Sequence, residues 1–264
     1  MGISPVNETI QVAEMSDSLR NRLWNVIYTF VFNEGHVGFK GMDIRTVSIK
    51  FYHSFLKLPV DHVPSNPVAQ LEFFRNFFFT SAWHGVYDFI EWLISKDLMS
   101  TDAIEILEDV LVSEFSGYRI IDGNFLPITS PEEISTIQAA IDQTEIPGAS
   151  THLTRAIELL SDKEKPDYRN SIKESISAVE SAAQKLANLP KATLGDAIKL
   201  IEQKHRIHPA LKDGLLKIYG YTSNEEGVRH AMQDSPDLRQ EDALLLLVMC
   251  SAFVNYLSAK SKQS

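Results

Sequence analysis

Apolar residues recur along most of this 264-residue chain at the three- and four-residue steps of an α-helix. The clearest series runs over 167–188, where the steps are four, three, four and three: Ile172, Ile176, Val179, Ala183 and Leu186. Such steps form one narrow apolar stripe that packs against a partner helix. The spacing therefore predicts a mainly α fold.

The same spacing predicts further helices over 19–30, 67–95, 101–115, 152–161, from 193 past 201, and over 241–257. The stretch 67–95 carries aromatic residues on more than one face, so we expect it to be buried on two sides in the first domain. One segment breaks the helical pattern. Residues 118–128 place two short β-prone stretches around Asp122, Gly123 and Asn124, which predicts a small hairpin.

A helix start follows this hairpin. Ser130 is positioned to cap it, Pro131 suits its first position, and Glu133 completes a capping box.

The segment 144–150 then combines Pro and Gly, and we place a domain boundary there. The prediction is two helical domains, 1–148 with the hairpin and 149–264.

Charge is distributed unevenly between the two parts. Residues 1–150 carry 9 Lys and Arg against 20 Asp and Glu, a net of −11, whereas residues 151–264 carry 16 against 15, a net of +1. The first part repels nucleic acid at long range, so a regulatory protein partner suits it better than RNA. The second part is able to hold a local basic site.

The sequence shows no pattern typical of a signal peptide or a membrane span. The run 243–257 is apolar for fifteen residues, fewer than the about 20 that a membrane span needs, and we expect a buried core helix. The first fifteen residues lack an apolar signal core. Cys250 is the only cysteine in the sequence, which excludes an internal disulfide and fits a reducing compartment. We therefore expect a cytoplasmic protein without membrane contact.

Standard catalytic and cofactor motifs do not occur in the sequence, and we expect no cofactor. His205 and His208 are three residues apart, but Pro209 follows and no third ligand lies near. We therefore expect no metal site.

Two polar segments of the C-terminal part carry chemistry. The first opens the striped helix with Arg169, Asn170 and Glu174. A polar ridge beside the apolar stripe is formed by Asn170, Glu174, Ser177 and Ser181. This ridge is either a solvated face, with Glu174 stabilising the helix start, or the wall of a binding site.

The second segment contains Ser223 and Asn224, followed by the adjacent Arg229 and His230. Arg binds a phosphate through two parallel hydrogen bonds, and His transfers a proton near neutral pH. Together they suffice for metal-free RNA cleavage, in which one group deprotonates the ribose 2′-hydroxyl and the cation stabilises the phosphorane. The structural alternative is an Arg paired with Glu174 or Glu180 and a His at a helix end.

Several segments resemble a known family. YRNSIKESISAVE (168–180), LGDAIKLIEQ (194–203), the segment 207–232 and AFVNYL (252–257) resemble the C-terminal part of AbiJ-type abortive-infection proteins, which belong to the HEPN class. LRNRLWNVIY (19–28) and 118–134 resemble the AbiJ N-terminal domain that often precedes it. The resemblance implies a helical C-terminal domain, a homodimer through it, and defence against phage.

Many members of the HEPN class are metal-independent ribonucleases with an Arg separated from a His by four to six residues. This chain departs from that pattern, because Arg229 directly precedes His230. The prediction is an anti-phage effector in which Arg229 and His230 form a variant catalytic site, while Arg169, Asn170, Glu174, Ser223 and Asn224 bind an RNA substrate. The alternative is a non-catalytic helical dimerisation or binding module.

Overall fold

Helices account for most of the chain, which confirms the mainly α prediction. The computed structural model describes residues 10–32, 36–37, 42–142, 144–205, 207–223 and 238–262. The chain divides into an N-terminal unit, Met1–Pro127, and a C-terminal unit, Ile128–Ser264. The division lies 21 residues before the boundary predicted at 148.

The N-terminal unit contains five helices and two small antiparallel sheets within its described residues. In chain order they are α1 (Asp17–Phe30), β1 (His36–Val37), β2 (Met42–Asp43), α2 (Ile44–Lys50), α3 (Pro67–Thr80), α4 (Trp83–Ser95), α5 (Thr101–Ser113), β3 (Arg119–Ile121) and β4 (Asn124–Leu126). A π-helical turn, Phe51–Leu56, continues α2, and a 3₁₀ turn follows at Val60–His62.

The single helix predicted over 67–95 is wrong, because the chain breaks between α3 and α4. Ser81 has an extended ψ of 147°, and its hydroxyl donates to the carbonyl of Phe77 at 2.7 Å. Arg20 of α1 donates to the carbonyls of Phe78 at 2.6 Å and Ser81 at 2.9 Å. These carbonyls at the end of α3 need donors from outside the helix, and Arg20 provides them.

The hairpin lies where the sequence predicts it. β3 and β4 pair antiparallel, and Asp122 and Gly123 form the two-residue turn with φ of 49° and 77°. Positive φ at both positions suits a type I′ turn, which matches the twist of the strands. Asn124 is not part of the turn, since it pairs with Ile121 as the first residue of β4.

Two carboxylates fix the hairpin to the helices. Glu91 of α4 accepts a hydrogen bond from the backbone N–H of Phe125 at 2.6 Å, and Glu108 of α5 accepts one from Ile120. Burial raises the pKa of Glu108, an effect that the Ile120 hydrogen bond and Arg119 oppose. Backbone donors of β3 and β4 are thereby satisfied inside the unit.

A further tie joins the start of the unit to its far end. Gln11 forms a parallel bridge with Ser116, in which its N–H donates to Phe115 at 2.9 Å and its carbonyl accepts from Gly117 at 2.8 Å. Its side-chain amide donates to the carbonyl of Glu114 at 2.6 Å. A Cβ at Gly117 would lie 2.9 Å from the Gln11 carbonyl oxygen, so only glycine fits there.

Aromatic side chains dominate the core of the N-terminal unit. Phe51, at the start of the π-helical turn, is fully buried. Six rings from its own turn, α3 and α4 have centroids within 6.4 Å of it: Phe55, Phe73, Phe74, Phe77, Phe89 and Trp92. Phe51 therefore joins three elements of the unit.

Phe51→Ala is expected to lower the free energy of unfolding of the N-terminal unit by about 3–5 kcal/mol, because it removes a ring from a packed core that cannot fully collapse. Urea denaturation followed by Trp fluorescence measures the change. The matched control is Val68→Ala on α3, where Val68 is 75 % exposed and the expected change is within about 0.5 kcal/mol. An equal loss in both variants would contradict the central role of Phe51.

The C-terminal unit contains six helices within its described residues. They are α6 (Pro131–Asp142), α7 (Pro147–Ser161), α8 (Tyr168–Ala187), α9 (Leu194–His205), α10 (Pro209–Ser223) and α11 (Gln240–Ser261). The striped helix α8 packs against α7, α9, α10 and α11. The apolar stripe is therefore covered within one chain, and four of its members are buried: Ile172, Ile176, Val179 and Ala183.

Two prolines interpreted as breaks begin helices instead. Pro147, placed in a linker, is the first residue of α7, and Pro209, expected to end a helix at His208, is the first residue of α10. The N–H that proline lacks is not needed in the first helical turn.

The capping of α6 is confirmed in part, since Ser130 accepts from the N–H of Glu133, but the carboxylate that binds its hydroxyl is that of Glu132.

The apolar helix α11 is longer than its sequence run. It has 22 residues, and by length and composition it is able to cross a membrane, so the length argument against a span fails. The packing of α11 is better evidence for a core helix, because α11 contacts α6, α7 and α8. Seven of its residues are buried in the unit: Ala243, Leu246, Leu247, Cys250, Ser251, Val254 and Leu257.

Candidate functional site

The start of α8 carries three of the predicted substrate-binding residues. Asp167 caps the helix and accepts from the N–H of Asn170 at 3.0 Å and from its side-chain amide at 2.7 Å. The Asn170 side chain is therefore engaged in the cap, although the residue is exposed. Arg169 is half-buried in the same turn. Burial, and after it the charge of Glu241 on α11, raises the pKa of neighbouring Tyr168.

Glu174 lies one turn further along α8 and meets a residue that the sequence did not single out. Its Oε2 lies 2.6 Å from Nδ1 of His152 on α7. The side chains are 23 % and 38 % exposed, so the pair lies at the surface of the unit with the imidazole open to solvent. Glu174 thus pairs with His152 among the described residues, and the alternative pairing of Arg229 with Glu174 or Glu180 stays a prediction because Arg229 lies outside them.

The chemistry of the pair follows from its geometry. An ionised carboxylate only accepts hydrogen bonds, so Nδ1 of His152 carries the proton that it shares with Glu174. In the neutral ring Nε2 is then the acceptor, and within the described residues no other partner of the ring is found. A carboxylate that orients an imidazole in this way prepares it to take a proton at Nε2. The arrangement suits general acid–base chemistry as well as a structural ion pair.

The polar ridge of α8 follows α7 and is not simply a solvated face. Ser181 of the ridge lies against Gly148, where an added Cβ would be 3.3 Å from its Oγ, and the buried Ser171, beside the ridge, donates to the carbonyl of Ala156 at 2.8 Å. With Glu174 and His152 between them, these contacts show two antiparallel helices. Ser177 bonds its own helix at the carbonyl of Lys173.

The second polar segment is described only at its beginning. Residues 219–223 form the last turn of α10, and Ser223 is the final helical residue. The side chain of Ser223 and the residues Asn224, Arg229 and His230 lie outside the described residues. Their assignment as catalytic and substrate-binding residues stays a prediction.

Metal ligands do not cluster in the part of the chain that the structure describes. His208 lies at the start of α10, where its Nδ1 accepts from the N–H of Ala210 at 3.2 Å. This contact caps the helix and explains why a His precedes Pro209.

A comparison with known families assigns the N-terminal part of the chain to a family. The family model AbiJ N-terminal domain 4 matches residues 1–143, more than half of the chain. The chain belongs to this family. No curated protein and no solved structure matches it.

The AbiJ N-terminal domain 4 match covers the N-terminal unit and extends through α6 of the C-terminal unit. It contains both segments on which the AbiJ resemblance was based, 19–28 in α1 and 118–134 from the hairpin into α6. The resemblance of this half is confirmed, and the protein is related to abortive infection. The resemblance of residues 149–264 to the HEPN class stays a prediction.

Proposed function

We propose that this AbiJ-family protein is a cytoplasmic anti-phage effector whose C-terminal unit cleaves RNA without a metal ion. The family supports the defence role. The catalytic part of the proposal rests on the His152–Glu174 pair. In this pair the imidazole of His152 on α7 is oriented by the carboxylate of Glu174 on α8, the helix that also contains Arg169. The N-terminal unit then regulates the effector or binds a partner protein.

In this proposal Arg229 stabilises the charged phosphorus and His230 transfers the proton of the 2′-hydroxyl. Arg169, Asn170, Glu174, Ser223 and Asn224 bind the RNA strand. The charge of the chain supports this division, because residues 151–264 are nearly neutral while residues 1–150 carry −11 and repel a polyanion. His152 adds a second proton-transfer group next to Glu174.

The test is an incubation of the purified protein with total bacterial RNA, with and without EDTA. We expect cleavage in both conditions, loss of cleavage in the Arg229→Ala/His230→Ala double variant, and reduced cleavage in His152→Ala. The matched control is His62→Ala, an exposed histidine of the N-terminal unit. Cleavage that persists in the double variant, or that EDTA abolishes, would overturn the assignment.

One surface supports a homodimer, which fits the proposed effector as well as the second candidate, a dimerisation or binding module. Four residues of α11 follow steps of four, three and four on its less buried side, where Leu245 and Ala252 are exposed and the other two are half-buried. We call them the α11 row: Leu245, Met249, Ala252 and Tyr256. Leu245 is 56 % exposed. Because the stripe of α8 is covered, the α11 row replaces it as the surface of the proposed homodimer.

Light scattering at micromolar concentration is expected to give twice the chain mass of 29.7 kDa. Leu245→Glu and Met249→Glu are expected to give the monomer mass, because each places a charge in an apolar contact. Val112→Glu, at a site of α5 that is also 56 % exposed, is the control that stays a dimer. A wild-type monomer would contradict the homodimer.

A further inference from the structure

The solvent side of α5 in the N-terminal unit combines negative charge with exposed apolar side chains. Six of its exposed residues lie within an arc of roughly 120°, because each residue turns an α-helix by about 100°. We call these residues the α5 face: Asp102, Glu105, Ile106, Asp109, Val112 and Ser113. The opposite side of the helix is buried in the core of the unit.

The negative charge of the α5 face is not neutralised within the described residues. The side chains of Asp102, Glu105 and Asp109 form no ion pair or hydrogen bond there, and the sequence of α5 contains no Lys or Arg. The nearby Arg22 of α1 pairs with Glu114 at 2.7 Å. Like charges four residues apart on a helix repel each other, as Glu105 and Asp109 do here. A cation from another molecule would remove that repulsion.

An apolar side chain follows directly after α5. Phe115 is 41 % exposed and has a φ of 55°, in the left-handed conformation that glycine usually adopts after a helix. Its N–H donates to the carbonyl of Val112 at 3.2 Å, and its carbonyl accepts from the N–H of Gln11 at 2.9 Å. Within the described residues the Phe115 ring contacts no other ring. Neither the local conformation nor the core of the unit therefore explains a phenylalanine here.

Two residues before α1 enlarge this apolar surface. Ile10 and Val12 are exposed on either side of the buried Gln11, whose bridge to Ser116 places them next to Phe115. Contiguous exposed apolar side chains of this kind mark interaction sites. We call the four residues the apolar end of the α5 face: Ile10, Val12, Val112 and Phe115.

Charge and shape together define the partner. Carboxylates at steps of three and four beside apolar side chains are complementary to a helix with Lys or Arg at the same steps beside its own apolar stripe. The distance along the axis from Asp102 to Phe115 is about 20 Å, which matches roughly four helical turns. The same carboxylates repel RNA and anionic lipid, so the complementary occupant is a protein helix.

We propose that the α5 face and its apolar end dock a basic amphipathic helix of a partner protein. Its Lys and Arg side chains pair with Asp102, Glu105 and Asp109, and its apolar stripe covers Val112 and Phe115. This inference rests on the regulatory role proposed for the N-terminal unit and names the class of partner. The surface contains none of the proposed catalytic residues, and its test uses no RNA, so failure of docking is distinguishable from failure of the ribonuclease.

Fluorescence anisotropy of a labelled synthetic peptide titrated with the full chain tests the docking. The probe is an amphipathic helix of about 14 residues made of Leu, Ala and Lys, and the comparison peptide has Glu in place of each Lys. We expect saturable binding of the Lys peptide with a Kd below about 100 µM, weaker at high salt, and at least about tenfold weaker binding of the Glu peptide. Equal binding of the two peptides, or no saturation up to about 1 mM, would overturn the proposal.

Charge variants locate the peptide on α5. Glu105→Gln/Asp109→Asn is expected to weaken binding of the Lys peptide at least about tenfold. The matched control Asp61→Asn/Glu72→Gln removes the same charge from two exposed positions of the N-terminal unit outside the α5 face, and is expected to bind as the wild type. An equal loss in both double variants would show an effect of net charge alone and would contradict a specific surface.

Phe115→Gly separates docking from folding. Glycine adopts a positive φ without strain, so this variant is expected to melt at the same or a higher temperature while binding the Lys peptide at least about tenfold more weakly. Leu58→Ala removes an exposed apolar side chain elsewhere in the unit and is expected to bind as the wild type. Unchanged binding in Phe115→Gly, or a loss confined to Leu245→Glu on α11, would place the peptide elsewhere and refute docking on α5.

Discussion

His230→Ala is expected to lower the rate of RNA cleavage by roughly 10²–10⁴, the usual contribution of a general acid or base. In the proposed mechanism, loss of the imidazole leaves the 2′-hydroxyl without a group that takes its proton, while substrate binding by the arginines is retained. Initial rates on a defined RNA, measured under single-turnover conditions, separate the chemical step from binding.

Two further variants make this result specific. Arg229→Lys is expected to reduce the rate despite its conserved charge, because a phosphate held by two parallel bonds needs the guanidinium plane. Glu174→Gln is expected to reduce the rate through His152, since an amide no longer fixes the proton on Nδ1. If His230→Ala, Arg229→Lys and the control His62→Ala cleave at the same rate as the wild type, a contaminating nuclease is the source of the activity.

Cys250 is expected to react with iodoacetamide roughly 10³-fold more slowly in the folded protein than an exposed cysteine at pH 8. Its side chain is 2 % exposed on α11, and burial raises the pKa of its thiol to about 12. Only the thiolate attacks the reagent, and an ordinary cysteine has a pKa of about 8.5. Each tenfold step in thiolate population corresponds to one pH unit, so the shift alone supplies the expected factor.

Mass spectrometry of the modified protein measures the labelling rate. The comparison is Thr151→Cys in a Cys250→Ser background, which places a thiol at an exposed position of α7. Urea is expected to bring both rates together as the C-terminal unit unfolds. Rapid native labelling of Cys250 would show that α11 is open to solvent and would contradict its burial against α6, α7 and α8.

Elements with local causes were predictable from the sequence. The hairpin depends on Asp122 and Gly123, whose positive φ values are a local property of the turn. The helix α8 was predicted within one residue at each end, since Asp167 caps its start and Asn188 ends it in the left-handed conformation. In both cases the signal and the structure lie within the same few residues.

Elements that depend on contacts distant in sequence were not predictable in this way. The carbonyls at the break between α3 and α4 are satisfied by Arg20, which is 58 residues away from Phe78 in sequence. The starts of α7 and α10 were missed for a different reason, because proline both begins helices and ends them. The sequence pattern does not distinguish these roles when no capping box accompanies the proline.

The candidate site shows the same limit. Glu174 was predicted as a binding residue, but its partner His152 is 22 residues earlier and carries no motif. The useful signal was the short connection between α7 and α8, which makes the two helices antiparallel and brings residues at matching distances from the turn together. A search for polar pairs across that hairpin would have found His152.

The bridge from Gln11 to the end of α5 has a consequence for the order of events during translation. Gln11 and Glu114 are 103 residues apart, so the start of the chain leaves the ribosome long before its bonding partners are made. At 5–20 residues per second, this interval lasts about 5–20 s. The apolar face of α1, with Leu19, Leu23 and Ile27, lacks α5 as a packing partner for most of that time. The nascent AbiJ N-terminal domain therefore offers chaperones a defined window for binding α1.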